Sequence, residues 1–94
     1  MKDETLKRVE VVETKHGHFE LIKNYRDCFD TLSFSERYVD YLDRYEFIVG
    51  DYSADMLRLK GFSSKQKDQI FDYLMESATP HAPYFILRRK ETEK

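Results

Sequence analysis

The sequence predicts an α+β domain: a small, mainly antiparallel sheet with two helices on one face, in the order ββαββαβ. Three observations carry this. Several short segments alternate apolar and polar residues with period two, the mark of a half-buried strand. Two longer segments place apolar residues on one stripe at helical spacing. The connections are too short for repeated parallel crossovers, so neighbouring strands run antiparallel.

Residues 8 to 23 form the first hairpin. Val9, Val11 and Val12 precede a His16-Gly17 turn, and Phe19, Leu21 and Ile22 follow it. A turn centred there sets Val12 opposite Leu21 and Glu10 opposite Lys23, but it also sets Glu13 opposite Glu20, a like-charge pair. Residues 24 to 32 connect, lowering Tyr25, Cys28 and Phe29 onto the core. Residues 33 to 45 read as one helix. Ser33 and Glu36 have capping-box spacing, and Phe34, Tyr38, Tyr41, Leu42 and Tyr45 make one stripe. A short strand, 46 to 50, centres on Phe47-Ile48-Val49, and 50 to 55 is a loop. From Met56 to Phe62, Leu57 and Leu59 alternate with Arg58 and Lys60, which makes another strand. Ser63 and Gln66 begin a second helix that runs to Ala78, with Ile70, Leu74 and Ala78 stacked and Phe71 and Met75 beside them. Pro80 and Pro83 stop it. In the last strand, Tyr84 to Arg89, Phe85 and Leu87 share one face, and Tyr84, Ile86 and Arg88 share the other.

The chain has 94 residues, enough for one domain with an ordered core over residues 8 to 89; residues 1 to 6 and 91 to 94 are expected to fray. At 40% hydrophobic and 15% aromatic, it can build a core and is not a disordered chain. The formal net charge of −2 argues against a histone-like grip on nucleic acid. No apolar run is long enough for a membrane span, and the polar start has no signal-peptide core. The single Cys28 cannot form an internal disulfide, so a reducing cytoplasm is the simplest compartment. Charge is uneven: residues 27 to 55 hold eight acidic and two basic side chains, whereas 56 to 70 hold four basic and one acidic.

Catalytic and metal-binding patterns are weak. His16 and His18 form an H-x-H in a turn, with His81 far away, and read as solvated side chains. Cys28 lies between Asp27 and Asp30, which raise a thiol pKa, and reads as a small hydrophobe. The carboxylates Asp40 and Asp43 fall on a solvated helix side. Gly17, Gly50 and Gly61 are too scattered for a phosphate cradle. No catalytic residue, metal or cofactor is therefore expected. Gly50, Asp51 and Gly61 read as a structural loop motif. Asp51 would accept backbone N–H bonds in its own loop, with an ion pair to Arg58 or Lys60 as a further role.

The segment Phe47-Ile48-Val49-Gly50-Asp51-Tyr52, followed by Leu57-Arg58-Leu59-Lys60-Gly61-Phe62, resembles the signature of the YutD-like family. The resemblance extends upstream through residues 18 to 24, 34 to 38 and 42 to 45, and downstream through 72 to 74 and 84 to 89. It implies a small cytosolic domain of low-GC Gram-positive bacteria and carries no established biochemical activity. Two differences stand out. The segment from Ser63 to Asp68 is short for the family. The cysteine pair that several members carry before the last strand is absent, so no metal or redox role follows from it.

Arg58, Lys60, Tyr84 and Arg88 are the residues with a functional shape: cations interleaved with an aromatic on the sheet face away from the helices. Such a face fits another protein, since Arg and Tyr are common interface anchors. The alternative is RNA or single-stranded DNA, bound by charge and stacking. It also fits a plain solvated surface or one covered in a homodimer, so the chain is expected to be a monomer or a homodimer. The sequence thus points to a non-enzymatic binding or regulatory domain.

Overall fold

The computed structural model describes residues 10 to 77 and 81 to 90. The expected fraying of residues 1 to 6 and 91 to 94, Val9 of the first strand, and the Ala78–Pro80 helix end lie outside the described residues. The elements are β1 (Glu10–Thr14), β2 (Gly17–Tyr25), α1 (Thr31–Arg37), a 3₁₀ turn (Asp40–Arg44), β3 (Phe47–Ser53), β4 (Met56–Phe62), a second 3₁₀ turn (Ser64–Gln66), α2 (Gln69–Ser77) and β5 (Tyr84–Arg89). All five strands form one sheet in the order β1-β2-β5-β3-β4, and every neighbouring pair is antiparallel. The α+β class and the element order are those read from the sequence.

The helices do not share a face. One apolar cluster joins Phe34, Tyr38 and Leu42 to Val12, Phe19, Leu21, Ile48, Leu57, Phe85 and Leu87. A second joins Ile70 and Leu74 of α2 to Phe47, Val49, Phe62 and Ile86. These two sets alternate along β3 and β5, so α1 and α2 cover opposite faces. The cause lies in the strands themselves. Phe47, Ile48, Val49, Gly50 and Asp51 are all buried, as are Phe85, Ile86 and Leu87. Unbroken apolar runs belong to strands covered on both sides.

Three local expectations also change. The first turn is Lys15-His16, so Val12 faces Phe19, Glu10 faces Leu21 and Glu13 faces His18. This register removes the Glu13–Glu20 clash. Thr14 Oγ1 accepts from the His16 N–H at 2.9 Å, and Gly17 takes φ +122°, which side-chain-bearing residues rarely adopt. The helix expected over residues 33 to 45 is broken. Asp30, rather than Ser33, caps α1, its carboxylate accepting from the Ser33 N–H at 2.9 Å. Tyr38 and Val39 are extended, and the chain restarts as the 3₁₀ turn. Arg89 fixes this break: its guanidinium donates to the Leu42 carbonyl at 2.9 Å, the Tyr45 carbonyl at 3.2 Å and the Tyr38 hydroxyl at 2.9 Å. It satisfies carbonyls that a helix end leaves open. Tyr41 consequently faces solvent. On α2, Phe71 and Met75 do too, instead of packing beside Ile70; Tyr73 takes that place against Phe62. The Ser63–Gln66 capping box forms, but it caps the second 3₁₀ turn, and α2 begins at Gln69 rather than at Ser63.

Gly50 and Asp51 do not lie in a loop. β3 continues through them to Ser53, and Ala54-Asp55, both at positive φ, close the β3–β4 hairpin. Gly50 pairs with Phe85, whose ring crosses it; a Cβ there would lie 2.2 Å from the ring. Gly61 lies under Tyr45, where a Cβ would meet the ring at 2.3 Å. Phe85 is fully buried, whereas Tyr45 is half-buried and can swing. Gly50→Ala is therefore expected to destabilise the fold by about 2–3 kcal/mol and Gly61→Ala by about 1 kcal/mol, measured by urea unfolding. Equal losses would contradict this packing.

Candidate functional site

Asp51 is the one buried charged residue among the described residues, with no accessible surface, in the interior strand β3, next to the edge strand β4. Register places it between Arg58 on β4 and Tyr84 on β5. Arg58 donates to both its carboxylate oxygens, from Nη2 at 2.7 Å and from Nε at 3.3 Å. A buried carboxylate must be paired, and the two-pronged guanidinium fixes the geometry of both groups. The pairing, first through the hydrogen bond and then through charge, raises the Arg58 pKa above its ordinary value. The ion pair anticipated from sequence is present; the Arg58 side chain serves the carboxylate in place of loop N–H groups. That side chain remains 42% exposed.

The other candidates share the sheet face that carries α2, contrary to an open face opposite both helices. Ile86, expected among the open residues, is buried beneath α2. Lys60 is exposed, with its ammonium 5.6 Å from the Phe62 ring and 5.9 Å from the Tyr73 ring. Tyr84 stacks on Tyr25 at 5.3 Å. Arg88 donates from Nε to Glu46 at 2.7 Å and faces Glu20 in register. In the cross-strand row through Arg88, Phe47 and Phe62, the middle residues pack against α2, so Arg88 lies on one margin of that helix. Tyr84, Arg58 and Lys60 belong to the rows on the other side, through Asp51 and Val49. The structure thus brings Arg58, Lys60 and Tyr84 together around Asp51 and sets Arg88 apart.

Tyr73 connects α2 to this group. Burial, reinforced by the Asp51 charge and opposed by Arg58, pushes its hydroxyl pKa up. Sequence reading missed Tyr73, Tyr25 and Arg89. The aromatic spacing of Tyr73 to Phe62 gave no signal, because strand order had to be known first.

His16 and Cys28 make contacts elsewhere in the fold. His16 is not a free turn side chain: its ring stacks on Tyr38 at 4.0 Å. Cys28 is half-buried, and its N–H donates to Asn24 Oδ1 at 2.9 Å. Burial first, and Asp27 to a lesser degree, push its thiol pKa up. Among the described residues, no group of three His, Cys, Asp or Glu side chains could hold a metal ion. No helix among them is long and apolar enough to cross a membrane.

Fold and site together define a small antiparallel domain in which a buried carboxylate is ion-paired beside a basic, aromatic margin. The chain belongs to the YutD-like family, described as "Putative antitoxin YutD-like", whose model matches residues 13–88. It is 34% identical to "Putative antitoxin YutD" of Bacillus subtilis (strain 168), over 80% of this chain and 92% of that protein. The solution NMR structure of protein yutD from B. subtilis matches with a TM-score of 0.66 at 30% identity, over 100% of this chain and 94% of that one.

Two measurements check the site. Arg58→Ala leaves the buried carboxylate unpaired and is expected to cost about 2–3 kcal/mol in urea unfolding. Asp51→Asn combined with Arg58→Ala should recover part of that loss; a fully additive pair would contradict the coupling. Separately, Cys28 should react with iodoacetamide at pH 8 more slowly than a free cysteine, because the thiolate is disfavoured. A rate equal to the free amino acid would show the side chain to be open.

Proposed function

We propose that this protein is a non-enzymatic binding protein that contacts another protein through the margin formed by Arg58, Lys60 and Tyr84, with Arg88 an outlying contact across α2. The observation that carries this reading is the clamp on Arg58. A guanidinium held by a buried carboxylate loses little rotamer freedom when a partner arrives, and preorganised cations and aromatics make strong interface anchors. Phe71 and Met75 on α2 add exposed apolar surface, 61% and 81% accessible. The antitoxin name borne by the family agrees with this reading: a domain of this size counteracts a toxin most simply by binding it, which makes a toxin protein the partner class.

Nucleic acid is the less favoured partner. Asp51 and Glu46 partly neutralise Arg58 and Arg88, and Glu20 stands opposite Arg88, so a polyanion meets acidic groups beside the cations. Phosphate binding draws on unneutralised cations and falls steeply with salt.

Lys60 is the cleanest probe, since its loss strands no buried carboxylate. In-cell crosslinking with mass spectrometry should identify a protein partner for the natural chain. Lys60→Glu is expected to lower its recovery at least about tenfold with unchanged circular dichroism and melting. Full recovery with Lys60→Glu, or a salt-sensitive gel shift with RNA in its place, would contradict the reading.

A further inference from the structure

We infer that the outer edge of β4 is a pairing site for an extended protein segment that alternates acidic and apolar residues; this rests on the reading of the Arg58–Lys60 margin as protein-binding. Among the described residues β4 is terminal in the sheet, seven residues long, and its register with β3 is unbroken from Ser53↔Met56 to Phe47↔Phe62. A two-residue turn makes Ser53 and Met56 a hydrogen-bonded pair, and such pairs then alternate along an antiparallel ladder. Arg58, Lys60 and Phe62 therefore direct their backbone groups to β3. Leu57, Leu59 and Gly61 direct theirs outward. The other side of β3 agrees with this phase: the Tyr52 N–H points away from β4 and donates to the Pro83 carbonyl at 3.3 Å.

An outward row of donors and acceptors is a template for an added strand. The side chains flanking it specify which strand. On the α2 face, Lys60 stands beside the edge, with Arg58, partly neutralised by Asp51, two residues before it, so directly adjacent residues of an incoming strand gain from carboxylates, chiefly opposite Lys60. On the α1 face, Leu57 is buried and Leu59 half-buried, so the alternate residues of that strand gain from being apolar. The same two cations disfavour a second β4 from another copy, because like charges would face each other across the new pair. The opposite edge, β1, is five residues long and carries Glu10 and Glu13, so it offers no such basic row.

The test is NMR titration of the isotope-labelled full chain with two short synthetic peptides, one alternating valine and glutamate, the other valine and lysine. The glutamate peptide is expected to shift the amides of Leu57, Leu59 and Gly61. It should bind at least about tenfold more tightly than the lysine peptide. A chain N-methylated at Leu59, made by ligation, loses one outward donor without touching the β3 ladder and should bind at least about fivefold more weakly. Absence of binding, equal affinity for both peptides, or shifts centred on Phe71 and Met75 would overturn the inference. So would a free chain that dimerises through Leu57, Leu59 and Gly61. Partner recovery separates this inference from the reading beneath it. If Lys60→Glu loses the partner and the N-methylated chain keeps it, only strand pairing falls; if both keep it, both fall.

Discussion

A carboxylate without water has to be answered from within the protein, and in this domain Arg58 answers it. Asp51 sits on the interior strand β3 with no accessible surface, and the guanidinium grips both its oxygens from the neighbouring edge strand. The pair ties β4 to β3 at one register, because a one-residue slip would turn Arg58 to the opposite face. It also determines what the protein offers to its surroundings. A long cationic side chain that would otherwise sample many rotamers is held at the surface in one, beside Lys60 and a stacked pair of tyrosines.

The rest of the architecture narrows where binding can occur. With α1 and α2 on opposite faces, the middle of the sheet is closed from both sides, and β5, the last strand made, fills the gap between β2 and β3. Among the described residues, the margin of α2 and the outer strands remain accessible. Two glycines serve this closure: Gly50 lets the Phe85 ring cross β3, and Gly61 lets the Tyr45 ring lie against β4. Arg89 closes the far end: its guanidinium holds the 3₁₀ turn through the Leu42 carbonyl and lies 4.8 Å from the Phe19 ring.

Much of this was legible beforehand, and the misses have two causes: a local signal read otherwise, and contacts between residues distant in sequence. Strand alternation at Leu57-Arg58-Leu59-Lys60 and the capping box at Ser63 are local signals, and the structure follows them. The runs Phe47-Ile48-Val49 and Phe85-Ile86-Leu87 also carried a local signal, that of strands buried on both faces, and reading them so would have put the helices on opposite sides. The broken helix was not legible. Its stripe from Phe34 to Tyr45 is regular, and the break depends on Arg89, which is distant in sequence. The placement of Asp51 was legible only in part. Its ion-pair partner could be named, but a Gly-Asp dipeptide after an apolar run reads as a turn unless the Phe85 ring is known to require the glycine. The separation of Arg88 from Arg58 needed the strand order, which no periodicity supplies.

Amide hydrogen exchange along β4 of the unliganded chain tests the central arrangement most directly. Slow exchange at Arg58, Lys60 and Phe62, alternating with fast exchange at Leu57, Leu59 and Gly61, is the pattern required by a strand anchored inward through the Asp51 pair and bare on its outer side. Uniform slow exchange from Leu57 to Phe62 would mean that something already covers the edge, and uniform fast exchange would mean that the buried ion pair does not hold β4 to the sheet.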